Sequence, residues 1–82
     1  MKEIESLAEL KAKAATDPNY DALAVVASRN LGGPDKSLAA ALDFLEKLEL
    51  EKYPEGMIVD EINFVIDLVP EELVRMRSGR IG

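Results

Sequence analysis

Along most of this 82-residue chain, apolar residues recur at the three-to-four spacing of an amphipathic helix, and proline and glycine divide it into segments. Ile4, Leu7, Leu10 and Ala14 share one side of a helix wound at about 100° per residue, which predicts a first helix over 2–15. Thr16-Asp17-Pro18 stops it: Pro18 has no N–H to continue the ladder, and Asp17 is suited to cap the next segment. Tyr20, Leu23, Ala24, Ala27 and Leu31 keep the same period and predict a second helix over 18–31. Gly32 stands where a left-handed C-terminal cap is wanted.

After the turn Gly32-Gly33-Pro34, Leu38, Ala41, Leu42, Leu45 and Leu48 form the cleanest stripe in the chain. It predicts a third helix that follows this turn, with Pro34 suited to its first position and Asp35 near the positive end of the dipole. Asp43 precedes Lys47 by four residues, the favoured order for a helical ion pair, and Tyr53-Pro54-Glu55-Gly56 ends the segment. Residues 57–69 read two ways. Alternation from Ile62 to Leu68 suits a strand, whereas Asp60, Asn63 and Asp67 recur at helical spacing. Helix is the better reading, because no other segment offers a partner strand and a lone strand leaves its backbone unpaired. Pro70-Glu71-Glu72 then opens a short helix through Met76, and residues 78–82 read as a loose tail. The predicted fold is all-α: a small bundle of four helices plus a short C-terminal helix, as a single domain over 1–77.

Composition changes this picture in two ways. A chain this short buries only about 60% of the surface it exposes when unfolded, so its core is thin. It has no cysteine and no histidine, so neither disulfides nor a Cys/His zinc site can reinforce it. Tight helix packing or association must supply the stability. The lack of cysteine also suits a reducing compartment; no apolar run is long enough for a membrane span, and Met1-Lys2-Glu3-Ile4-Glu5 is acidic where a signal peptide is basic. A cytoplasmic protein that does not enter membranes is expected.

Charge is distributed unevenly. Before Arg75 there are 16 acidic residues against seven basic ones, a balance of −9, whereas the last eight residues carry Arg75, Arg77 and Arg80 and no acid. A body this negative repels phosphate backbones and favours protein partners with basic surfaces. A helix-turn-helix reading of the second and third helices fails on the same ground. The predicted recognition helix offers Asp43, Glu46, Glu49 and Glu51 against Lys36, Lys47 and Lys52, so no nucleic-acid partner is expected.

Three stretches imitate functional motifs. Asp17, Asn19 and Asp21 alternate as at the start of an EF-hand loop, but Ala22 stands where that loop needs glycine and Ser28 where it needs glutamate. Lys36-Ser37 ends like a phosphate-binding loop, yet Asp35 replaces the glycine before the lysine. Leu31-Gly32-Gly33-Pro34-Asp35-Lys36-Ser37-Leu38 resembles the segment of small acidic four-helix acyl carrier proteins that bears phosphopantetheine on the serine of Asp-Ser-Leu. The resemblance covers about ten residues and implies a modified Ser37. Lys36 separates the aspartate from the serine, and a helix is predicted over 18–31 where such carriers run a long loop. Ser37 therefore reads as a helix-start residue, and no cofactor, metal or catalytic residue is assigned.

Without histidine or cysteine, and with a core too thin to enclose a pocket, the chain offers little for enzyme chemistry. It reads instead as a non-enzymatic interaction module, an adaptor, assembly subunit or inhibitor of the kind found among phage and mobile-element accessory proteins. The motive is a surplus of apolar residues beyond what one minimal bundle buries: Phe44, Leu50, Met57, Val59 and Phe64. Phe44, Leu50 and Phe64, with the basic Arg75, Arg77 and Arg80, are the expected contact residues. A homo-oligomer or obligate complex follows.

Overall fold

The computed structural model describes residues 2–51, 53, 56–68 and 71–73. Four helices run in the order α1 (Leu7–Ala14), α2 (Pro18–Asn30), α3 (Leu38–Leu50) and α4 (Met57–Ile66), followed by a helical turn over 71–73; no strand occurs among the described residues. The all-α bundle is thus the architecture, and 57–66 is helix. Of the predicted C-terminal helix only 71–73 are described, and the tail lies outside the described residues.

Each helix start has a local cause. Ser6 caps α1 by accepting from the Glu9 amide at 3.2 Å, while Glu9 Oε1 accepts from the Glu5 amide at 2.7 Å. This variant of the capping box starts α1 at Leu7 and not at residue 2. Asp17 Oδ1 caps α2 through the Asn19 amide at 2.9 Å, with Pro18 in the first turn. Ser37 Oγ accepts from the Ala40 amide at 3.2 Å and sets the start of α3 at Leu38, so Pro34 belongs to the preceding loop.

Helix α2 ends in a Schellman motif. Gly32, at φ 94°, donates to the Arg29 carbonyl at 3.0 Å, and Gly33 donates to the Ser28 carbonyl at 2.8 Å. The buried Ser28 hydroxyl donates to the Pro34 carbonyl at 2.7 Å, fixing the loop that leads to α3. Gly33 has a different role from Gly32. A Cβ on Gly33 would fall inside the Phe44 ring, so the missing side chain is what lets α3 lie against this loop.

Helix α2 is the centre of the bundle and packs on α1, α3 and α4. Every residue from Ala22 to Ser28 is buried, including Ala22, Val25 and Val26, which the predicted stripe omitted. A helix apolar on all sides is one enclosed by neighbours, and the unbroken run Ala22–Ala27 carries that signal. Leu7, Leu10 and Ala14 of α1, Leu42 and Leu45 of α3, and Ile58, Ile62, Val65 and Ile66 of α4 complete the core with Leu73.

Ile4 is buried although it precedes α1. Asn63 of α4 holds its backbone on both sides: Ile4 N donates to Asn63 Oδ1 at 3.0 Å, and Asn63 Nδ2 donates to the Ile4 carbonyl at 2.9 Å. The Tyr20 hydroxyl does the same for Lys2, accepting from its amide at 3.1 Å and donating to its carbonyl at 3.0 Å. Two side chains thus supply backbone partners to a segment that has no helix of its own.

Candidate interaction surface

The predicted contact residues are placed differently from one another. Leu50, at the end of α3, is 81% exposed, and Phe64 on α4 is 72% exposed. Met57, also named in the apolar surplus, is 46% exposed, while Val59 is half-buried. Phe44 is half-buried, packed against the core and against Gly33, so part of its ring serves the fold. Arg75, Arg77 and Arg80 lie outside the described residues.

The outer face of α4 follows from helix geometry. Ile58, Ile62, Val65 and Ile66 point inward and are buried. Met57 and Phe64 are seven residues apart, hence two turns apart on the same outward side, about 10 Å along the axis. Asp60 and Asp67 form a second outward row with the same spacing, and both are exposed. Glu61 lies on the opposite flank, half-buried, and accepts from Asn30 Nδ2 at 2.9 Å. The face is therefore an apolar pair bordered by carboxylates.

Apolar side chains left in water are a cost unless something else covers them, at roughly 25 cal/mol per Å². On α4 this contrasts with a core in which Ile62 and Val65 are almost wholly enclosed. The bordering acids oppose docking of acidic surfaces and favour basic ones.

A second surface feature lies between α1 and α3. Lys11, Leu38, Ala39, Leu42, Asp43 and Glu46 line an open depression of about 420 Å³. Lys11 Nζ and Glu46 Oε2 join the two helices at 3.1 Å, and Lys47 pairs with Asp43 at 3.7 Å in the predicted order. These groups are well exposed, so the pairs orient the helices weakly. A wide, solvated depression with no enclosed polar group is poorly suited to tuning an acid or base.

Two of the motif residues have structural roles. Asp17 caps α2 and Ser37 caps α3, as above. Among the described residues no three carboxylates converge as a metal site would require, and no helix is long and apolar enough to cross a membrane. The contribution of Asn63 was missed from sequence, since its partner Ile4 is 59 positions away and no local pattern marks the pair.

No family model, curated protein or solved structure matches the chain.

Proposed function

We propose that this protein is a non-enzymatic protein–protein interaction module, an adaptor, assembly subunit or inhibitor, whose contact surface is the outer face of α4 with the exposed end of α3. The observation that carries the reading is Phe64: an aromatic ring 72% exposed on a helix whose other face is fully packed. Leu50 at 81% and Met57 at 46% are the other exposed large apolar side chains among the described residues, and aromatic and methionine side chains are enriched where proteins meet. Asp60 and Asp67 border it, so a partner with a basic surface fits best. A cysteine-free chain of this kind suits the cytoplasm.

The test is a paired substitution, Leu50→Asp with Phe64→Asp, in the full chain. Both positions are exposed, so the helical circular dichroism spectrum and melting temperature should be unchanged. Quantitative affinity capture from the native host should yield a stoichiometric protein with the wild type and lose it with the variant. Equal recovery by both chains would sink the reading.

A further inference from the structure

We propose that the outer face of α4 receives residues 74–82 of a second copy of the chain. The inference rests on the reading of that face as a contact surface, and names its occupant.

Two kinds of complementarity support it. The face combines the apolar Met57 and Phe64 with the exposed Asp60 and Asp67. The segment Val74-Arg75-Met76-Arg77-Ser78-Gly79-Arg80-Ile81-Gly82 interleaves apolar residues with three arginines and contains no acid. It is the one stretch of the sequence with that composition, because all 16 acidic residues precede it. Arginine suits the role, since its guanidinium pairs with carboxylates while its stem packs on apolar surface.

Length and position favour a second copy over the chain's own face. Nine residues reach at most about 30 Å when extended, and α4 is about 15 Å long, so the segment can cover the whole face. Leu73, where it begins, is fully buried in the same cluster as Ile62 and Val65, on the inner side of α4. A second copy can be placed so that its segment runs along the face in any register, whereas the chain's own segment starts from the core side of the helix. Reciprocal exchange across a two-fold axis then makes two such contacts in one dimer, and each raises the effective concentration of the other.

The experiment uses the full chain and two charge-reversed forms, one with Arg75→Glu, Arg77→Glu and Arg80→Glu, the other with Asp60→Lys and Asp67→Lys. Glu61 is left alone because it binds Asn30. Sedimentation equilibrium at micromolar concentration should show a wild-type dimer that weakens at least about tenfold as salt rises well above physiological strength. Each reversed form alone should be monomeric, because its own tail and face repel. An equimolar mixture should regain the dimer, since each tail now meets an opposite charge; this also shows that both forms are folded. A mixture that stays monomeric, or reversed forms that dimerise as well as wild type, would overturn the inference. So would a monomeric wild type, and if host-partner capture still depended on Leu50 and Phe64 the contact-surface reading would stand without it.

Discussion

The Phe44 ring occupies the space that a side chain on Gly33 would fill. This one relationship joins the end of α2 to the middle of α3, since Gly33 also closes the α2 Schellman motif through the Ser28 carbonyl. Only Gly32 of this pair has a positive φ, so the demand on Gly33 is for space and not for backbone conformation. Gly33→Ala should therefore destabilise the fold by about 1–3 kcal/mol, the range for overpacking. Urea denaturation checks it. Combining Gly33→Ala with Phe44→Leu should cost less than the sum of the two, and strict additivity would show that the ring can move aside freely.

Asn63→Ala removes both hydrogen bonds to the Ile4 backbone and leaves the amide and carbonyl of that buried residue unpaired. A loss of about 1–3 kcal/mol is expected. Native-state hydrogen exchange should localise it, with the Ile4 amide losing protection while the α2 amides do not. Tyr20→Phe removes only the hydroxyl's bonds to Lys2 and should cost less.

Ser37→Ala should cost about 1 kcal/mol through loss of the α3 cap, and Ser37→Gly only a few tenths relative to serine. Comparing both by denaturation isolates capping from any other use of the hydroxyl. Intact mass of the protein from its native host gives the second measurement: a phosphopantetheine adduct lost in the alanine variant would make Ser37 a carrier site.

Leu45→Ala and Leu50→Ala should differ sharply although both delete the same atoms from α3. Leu45 is wholly buried and its truncation should cost about 2–5 kcal/mol. Leu50 is largely in solvent, and a change within about 0.5 kcal/mol is expected for the isolated chain. A large loss at Leu50 in a monomer would mean that it serves the fold and not a partner.

What sequence conveyed and what it withheld separates along local and non-local lines. Ile4, Leu7, Leu10 and Ala14 were legible as one buried set, and the α3 stripe as one inward side on which Ala41, Leu42 and Leu45 are buried and Leu38 and Leu48 half-buried, because period alone reports a shared face. The α1 start was misplaced because Ile4 fits the stripe while sitting outside the helix; Ser6-Leu7-Ala8-Glu9 held the boundary signal. At α3 the proline drew the start forward to Pro34, whereas the serine cap at Ser37 decides it. Residues 57–66 were settled by a global consideration, the lack of a partner strand. Leu50 and Phe64 stood out correctly as apolar residues off the core stripes, but Phe44 did not differ from them in sequence. Its partial burial depends on a missing side chain eleven positions earlier.

The link between Asn63 and Ile4 sets an order of events in time. Capping boxes, the Schellman turn and the α2–α3 hairpin join residues near in sequence and can form as soon as they exist, on the fast timescale of helix and short-loop closure. Tyr20 can hold Lys2 early, but the backbone of Ile4 must wait for α4, because the side-chain amide that pairs it arrives 59 residues later. During synthesis Ile4 therefore stays without its polar anchor until α4 leaves the ribosome, and in refolding the same closure falls late. Asn63 substitutions should accordingly speed unfolding and leave the folding rate nearly unchanged, the kinetic mark of a fastening made after the main barrier is crossed.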